Sequence, residues 1–153
     1  MGYLKYDPAS GKLVPYPHIN DDKSIGAKQP MLEDSKGNIW LAGLGGKFTR
    51  IHTATGSIDS FTINNTATKP IPPKSICTAL YEDKQGICWI GTPEGFVKVI
   101  FSNPQQSSPQ IKWYYNNPGN RNSLNYNHVS CFLDDPTAPG KYLWIATKGG
   151  GLN

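Results

Sequence analysis

The chain alternates short stretches of apolar and polar residues with turns rich in glycine, proline and asparagine. SICTALY (75–81) and HVSCFL (128–133) carry apolar positions at a period near two, which is typical of a β-strand. Each leads through a polar turn into a second apolar run, ICWIGT (87–92) or YLWIAT (142–147). Two such runs joined by a short Asp/Gly turn predict an antiparallel hairpin.

This hairpin pattern occurs three times along the chain. The three copies are LEDSKGNIWLAGLGGKF (32–48), YEDKQGICWIGTPEGF (81–96) and LDDPTAPGKYLWIATKGGGL (133–152). Each copy contains an acidic pair, a turn glycine and a tryptophan, in that order. A motif that recurs at roughly 50-residue intervals indicates a propeller or a similar repeat array.

A second hairpin pattern fills the rest of each repeat. It is present in GYLKYDPASGKLVPY (2–16), KFTRIHTATGSIDSFTI (47–63) and FVKVIFSNPQQSSPQIKWYY (96–115). Two hairpins make a four-stranded antiparallel propeller blade. The sequence therefore predicts an all-β fold with about three blades' worth of strands, a fragment of a larger propeller. The predicted parts of this partial propeller (1–153) are an outer hairpin 2–16, a blade 25–63, a blade 75–115, and the inner hairpin of a third blade 127–153.

We interpret the acidic pairs and the tryptophans as structural residues of the blades. Asp side chains can cap a tight turn through its backbone, and glycine supplies a positive φ there, so the pairs are interpreted as turn chemistry. One tryptophan at the same place in every blade predicts packing between neighbouring sheets, with an indole N–H that needs a partner. The three cysteines, Cys77, Cys88 and Cys131, are expected to be buried free thiols.

Composition narrows the classes of function. Charged residues make up 17% of the chain, and the formal net charge of +4 comes from scattered Lys and Arg. A nucleic-acid surface needs clustered basic residues, so no nucleic-acid partner is expected. No apolar run approaches the roughly 18 residues of a membrane helix, no signal-peptide pattern is visible, and this segment is expected to make no membrane contact. The spacing of Cys and His indicates no metal site, and no cofactor is expected.

Several short motifs together resemble the two-component regulator propeller repeat. They are GNIW (37–40), WIGT (89–92), GGLN (150–153), YDPASGKL (6–13) and RNSLNYNHV (121–129). The first blade departs from the repeat where Ala42, Gly43 and Leu44 replace its Gly-Thr, and the turns at 101–110 and 136–140 are longer. These departures lie in loops and leave the blade prediction intact.

The resemblance implies a function in signal transduction. Proteins similar to this one are the periplasmic sensor regions of hybrid two-component systems, which bind oligosaccharides and thereby control a histidine kinase. The resemblance further implies a periplasmic location and a parent chain anchored in the inner membrane. Two alternatives stay open: a protein-interaction scaffold, and a propeller lyase or glycosidase. An enzyme would need converging carboxylates, or a His with an acidic partner on one face. Outside the turns there are essentially only Asp21, Asp22, Asp59 and Glu94, so no enzyme activity is expected.

The linkers between blades are the expected place for a ligand, because repeat scaffolds carry function in loops. The linkers 18–29, 64–75 and 116–127 are dense in Asn, Lys, Thr and Pro. Planar amides, a guanidinium and aromatic rings suit hydroxyl-rich sugars. The predicted ligand-binding residues are Arg121, Asn127, His128, Lys148, Trp113 and Tyr115. The small basic excess would suit an acidic or sulfated glycan. Because propellers close with four to eight blades, self-association with a second copy is expected to complete the ring.

Overall fold

A computed structural model describes residues 4–15, 30–63, 72, 75–101 and 109–153. Within these residues the chain forms β-strands joined by turns, together with one short 3-10 segment, Leu44–Gly46. The strands are β1 (Leu4–Asp7), β2 (Lys12–Pro15), β3 (Met31–Glu33), β4 (Ile39–Ala42), β5 (Lys47–Ile51), β6 (Ile58–Thr62), β7 (Ala79–Glu82), β8 (Cys88–Thr92), β9 (Gly95–Ile100), β10 (Gln110–Tyr114), β11 (Val129–Asp134), β12 (Leu143–Thr147) and β13 (Gly151–Leu152). The predicted all-β class is confirmed.

The strands form antiparallel sheets in which each strand pairs with the next strand along the chain. Two sheets have four strands, in the orders β3-β4-β5-β6 and β7-β8-β9-β10. A third sheet is β11-β12-β13, and β1 pairs with β2 alone. The predicted four-stranded antiparallel blades are thus confirmed. In the third unit, where the sequence predicted a hairpin, the short strand β13 also pairs with β12 through Ala146 and Leu152.

The second acid of each pair holds the turn of the inner hairpin. Asp34 Oδ1 accepts the backbone N–H groups of Lys36 and Asn38 at 2.9 and 2.8 Å, and its Oδ2 accepts the indole N–H of Trp40 at 2.9 Å. Gly37 completes the turn with a φ of 78°. Burial opposes ionisation of Asp34, but the bonds from Asn38 and Trp40 outweigh it, so the pKa of this carboxyl is lowered.

The same device recurs in the next two sheets. Asp83 accepts the backbone N–H of Ile87 at 3.0 Å and the Trp89 indole N–H at 2.8 Å. Asp135 accepts bonds from Thr137 and Trp144, which lower its pKa. The interpretation of the acidic pairs as turn chemistry is confirmed, and each tryptophan has the N–H partner that its burial would require.

The apolar core lies between successive sheets. One cluster joins the sheets β3–β6 and β7–β10: Trp40, Ala42, Phe48, Phe61, Ile63, Cys77, Cys88, Ile90, Val97 and Val99. A second cluster joins β7–β10 to the β11–β13 sheet: Ala79, Phe96, Leu124, Val129, Phe132 and Ile145. Face-to-face packing in chain order is the arrangement expected of neighbouring propeller blades.

The tryptophans and cysteines differ in burial from sheet to sheet. Trp40 is 4% exposed, as predicted for a residue packed between sheets, whereas Trp144 is 39% exposed. Cys77 and Cys88 are buried free thiols. The prediction is wrong for Cys131, which is exposed. Cys131 pairs with Ala146 beside a bulge in β11, on the sheet face turned away from the second core cluster.

Candidate ligand-binding face

Two opposite faces follow from the antiparallel order of the strands. The hairpin turns 34–38, 83–87 and 135–142 lie at one end of the sheets, which we call the turn face. The connections between the second and third strands of each sheet lie at the other end, with the linker 115–128 between sheets. We call this end the linker face. Gly45 N–H donates to Ser75 O at 2.9 Å there, so neighbouring connections contact one another.

The linker 115–128 is ordered by its own polar groups. Asn116 donates its side-chain N–H to Leu124 O at 2.6 Å, and Ser123 Oγ accepts the N–H of Asn117 at 2.9 Å. The Ser123 hydroxyl donates to Asn120 O at 2.8 Å. Leu124 anchors this loop in the second core cluster. The linker therefore presents a fixed surface without needing a ligand to shape it.

A cleft of about 390 Å³ opens between this linker, the end of β10 and the third sheet. Its lining combines aromatic and aliphatic side chains with amides: Phe96, Trp113, Tyr114, Tyr115, Asn117, Asn120, Asn122, Ser123, Leu124, Ile145 and Asn153. Phe96 and Tyr114 stack with their ring centroids 4.7 Å apart, which makes one wall rigid. Apolar walls with a few placed polar groups are typical of small-molecule sites.

Three amides in this cleft have donor groups that no other described residue uses. Asn117 Oδ1 accepts the N–H of Gly119 at 3.1 Å, and Asn120 Oδ1 accepts the N–H of Asn122 at 3.0 Å. These bonds use the oxygens and leave both Nδ2 groups without a partner among the described residues. The Asn122 side chain likewise has none among them. Asn153, by contrast, is committed to Asn125 and Ile145.

A close backbone approach shapes the same cleft. Gly95 has a φ of 140°, and a Cβ built on it would lie 2.3 Å from Tyr114 O. Any side chain there would push β10 and the start of the linker away from β9. The glycine of the PEG sequence (93–95) therefore positions the aromatic wall.

The residues predicted from sequence divide between the cleft and its surroundings. Trp113 and Tyr115 line the cleft, and Trp113 also donates its indole N–H to Ile63 O at 3.2 Å, joining two sheets. The other four predicted residues lie on the linker face but do not line the cleft: Arg121, Asn127, His128 and Lys148. Asn127 Oδ1 accepts the N–H of Asn116 at 2.6 Å, which is a structural role in the linker. Ligand contact by each of the six stays a prediction.

The cleft amides were not singled out from the sequence. Asn117, Asn120 and Asn122 stand in the stretch NNPGNRN (116–122), whose density of asparagine is visible in the sequence. Asparagine in such a stretch is a turn former, and Asn117 and Asn120 do cap turns here. What the pattern cannot reveal is that the same side chains keep free donors beside an aromatic wall.

The turn face carries two smaller clefts at equivalent positions of the repeat. The cleft of about 280 Å³ beside Trp40 contains Arg50, His52 and Glu82, and the cleft of about 250 Å³ beside Trp89 contains Lys98 and Asp134. Glu82 accepts the backbone N–H of Ser35 across the first at 2.6 Å. Glu82 also accepts the Ser35 hydroxyl at 3.1 Å, so this carboxylate joins the first four-stranded sheet to the second.

The carboxylates outside the turns do not converge in the described part of the chain. Asp59 binds Arg50 and His52 at 2.6 and 2.7 Å, and these bonds outweigh its burial and lower its pKa. Glu94 accepts the Ser75 hydroxyl at 2.6 Å on the opposite face. Asp21 and Asp22 lie outside the described residues. The described residues hold no group of three potential metal ligands.

Comparisons with known proteins agree with this architecture. Residues 70–94 match the family described as two component regulator propeller. The chain is 33% identical over 81 residues to histidine kinase P4 of Formosa agariphila, an alignment that covers 52% of this chain and 6% of the relative. The resemblance to the two-component regulator propeller repeat is therefore confirmed, although the chain spans only a small part of that kinase.

Solved structures share the fold. Two crystal structures of the extracellular domain of BT4673 from B. thetaiotaomicron, described in one as a one-component system and in the other as a hybrid two-component system, match with TM-scores of 0.68 and 0.67. Both are 19% identical, and the match covers 99% of this chain and 18% of theirs. A catalytically inactive virginiamycin B lyase from Staphylococcus aureus, crystallised with quinupristin, matches with a TM-score of 0.59 at 19% identity, over 95% of this chain and 45% of the lyase.

The described residues contain no helix of the length and apolarity needed to cross a membrane.

Proposed function

We propose that this chain is the ligand-sensing propeller segment of an extracytoplasmic two-component sensor, in which oligosaccharide binding controls a histidine kinase. The match of residues 70–94 to the two-component regulator propeller family is the observation that carries the proposal. A histidine kinase among the relatives and the likeness of fold to extracellular domains support it. The proposal includes a periplasmic location and a parent chain anchored in the inner membrane.

The linker face supports a binding role. Loops on a rigid scaffold are the usual site of recognition in repeat proteins. The cleft there holds aromatic rings and amides, a combination that suits a ligand with apolar ring faces and many hydroxyl groups. Outside the turns, Asp59 and Glu94 form separate hydrogen bonds on opposite faces and do not make a pair of carboxylates. The described residues therefore favour ligand binding over glycosidic cleavage.

Titration of the full chain with a panel of defined oligosaccharides tests the proposal. Isothermal titration calorimetry is expected to give saturable binding to at least one of them, without any new reducing end detected in the same mixture. Turnover of a saccharide would instead support the lyase or glycosidase alternative. Failure of every saccharide in the panel to bind would contradict the sensing proposal.

A protein-interaction role is the second candidate, and one exposed surface favours it. The side of the β11–β13 sheet that carries Trp144 exposes Leu133 and Leu152, each 59% exposed. The hairpin β1–β2 exposes Leu4 and Leu13, and a lone hairpin is marginally stable in water. We propose that a second copy of this chain covers the Trp144 face, with its hairpin beside β13.

Light scattering across a concentration series tests self-association. A dimer that dissociates when Leu133 is changed to Lys would support the second copy as the occupant. A monomer at every concentration would contradict it and would leave the sensing proposal untouched.

A further inference from the structure

We infer that the cleft lined by the linker 115–124 on the linker face binds an uncharged saccharide segment. In this arrangement the Nδ2 groups of Asn117, Asn120 and Asn122 donate hydrogen bonds to the hydroxyl and ring oxygens of the sugar. This inference rests on the proposed sensing function and assigns to it a site and a class of ligand.

The donor set is the first support. The oxygens of Asn117 and Asn120 are fixed by the backbone N–H groups of Gly119 and Asn122, at 3.1 and 3.0 Å. An amide whose oxygen is held in this way has a defined orientation, and its two N–H bonds are the groups left for a ligand. Together with the side chain of Asn122, which has no partner among the described residues, these two oriented amides place three donors along one loop, and they match a ligand with several neighbouring oxygen acceptors.

The rigidity of the loop is the second support. Ser123 bonds to both Asn117 and Asn120, and Leu124 is buried in the second core cluster. A preformed loop loses little conformational freedom when a ligand binds, so weak individual hydrogen bonds can still yield useful affinity.

The aromatic wall is the third support. Tyr114 is held against Phe96 by stacking, and Tyr115 next to it is 41% exposed. A pyranose ring has an apolar face of C–H groups and a rim of hydroxyl groups. Such a ring can pack its apolar face on an aromatic surface and direct its rim to the amides.

The charge of the cleft selects the class of saccharide. Among the described residues that line it there is no Asp, Glu, Lys, Arg or His. A sulfate or carboxylate moved into this cleft would lose hydration without gaining an ion pair, which is costly. The basic residues predicted to bind, Arg121 and Lys148, lie outside the lining, so the described cleft lining itself supplies no cation to pair with an anionic group.

Two substitutions remove donors with little effect on the loop. Asn122→Ala deletes a side chain without a partner among the described residues. Asn120→Asp keeps the oxygen that caps the turn but replaces the Nδ2 donor with an acceptor. Gln85→Ala is the matched control, because it removes an exposed amide from the turn face, whose only described bond is a 3.3 Å contact to Gly140 O.

The experiment compares neutral oligosaccharides with sulfated and uronic-acid oligosaccharides of the same length, by calorimetry on the full chain. We expect a neutral oligosaccharide to bind. Each cleft variant should raise the Kd for this oligosaccharide about 10-fold, consistent with loss of one or two hydrogen bonds. Gln85→Ala should leave the Kd unchanged, and the thermal unfolding of all three variants should match that of the native chain.

The other outcomes are distinct. If a neutral oligosaccharide binds and neither cleft variant weakens that binding, the assignment of the ligand to this cleft would be overturned, while the proposed sensing function would stand. Tighter binding of sulfated or uronic-acid oligosaccharides would overturn the neutral class. Absence of binding by any saccharide would overturn the inference together with the proposed function.

Discussion

Two interfaces between successive sheets repeat the same backbone device with different chemistry. In the first, Arg50 lies opposite Trp40 in the sheet, and its guanidinium carbon is 5.3 Å from the Trp40 ring and 4.6 Å from Phe101. In the second, Lys98 lies opposite Trp89, with its Nζ 5.2 Å from the ring. The register is equivalent, but the Arg side chain is 6% exposed whereas Lys98 is half-buried.

The difference follows from the two cations. A guanidinium is planar and weakly hydrated, so it can be buried between aromatic rings if a carboxylate pairs with it. Asp59, directly opposite on β6, supplies that carboxylate at 2.6 Å. An ammonium group keeps its hydration and holds its head near water while its methylene chain covers the ring. The first interface is therefore closed around its cation, and the second stays open beside its own.

The third tryptophan completes the comparison. Trp144 bonds to Asp135, which is equivalent to the Asp partners of Trp40 and Trp89, yet it is 39% exposed. The turn and the indole hydrogen bond are therefore local features that each sheet forms by itself. Burial of the tryptophan depends on the sheet that packs against it.

Truncating the tryptophans should give the largest effects, in the order of their burial. Trp40→Ala is expected to lower the free energy of unfolding by about 3–5 kcal/mol, because it leaves a cavity among Phe48, Phe61 and Phe101. Trp89→Ala should cost less, and Trp144→Ala least. Urea unfolding followed by circular dichroism measures the series. Equal losses at all three positions would contradict the graded burial.

Removing the carboxylate that pairs with Arg50 should give the next largest loss in the free energy of unfolding. Asp59→Ala leaves a nearly buried guanidinium without its ion pair, with an expected loss of about 2–3 kcal/mol, reduced from the fully buried case because Asp59 is partly exposed. Lys98→Ala removes the half-buried cation of the second interface and leaves no unpaired charge behind, so it should cost less than about 1 kcal/mol. Comparable losses for the two substitutions would contradict the contrast between a closed first interface and an open second one.

Acidification should weaken the first interface through Asp34 and Asp59. Both carboxyls have a pKa below the ordinary value of 3.8, and hydrogen bonds to their ionised forms outweigh burial. A lowered pKa in the folded state gives stability that is full above the unfolded value and is lost as pH falls through the folded value. The denaturation midpoint should therefore decline below pH 4. In the double variant Asp34→Asn with Asp59→Asn, that part of the decline should disappear.

The blades are well predicted from the sequence because the repeated motif consists of residues that interact with near neighbours along the chain. The acidic residue, the turn glycine and the tryptophan lie within seven residues of one another at 34–40 and 83–89, so their interaction is set locally. The burial of the Arg50 guanidinium could not be predicted, because it depends on contact with Phe101, which is 51 positions away along the chain. The linker cleft was missed for a similar reason: it joins Asn117 to Tyr114 and to Asn153 of another sheet.

Thiol labelling gives the smallest perturbation and distinguishes the closed interfaces from the exposed sheet face. Burial raises the pKa of Cys77 to about 12 and also raises that of Cys88, so both thiols should stay protonated and shielded in the folded chain. Cys131 is exposed and should react with a small disulfide reagent at neutral pH.

We expect one thiol per native chain to be labelled quickly, and all three after denaturation. Cys131→Ser should abolish the fast phase with no measurable change in stability, because its side chain contributes little to either core cluster. Fast labelling of Cys77 or Cys88 in the native chain would mean that the first interface opens readily. Protection of Cys131 in a concentration-dependent manner would mean that another chain covers the Trp144 face, as the proposed self-association requires.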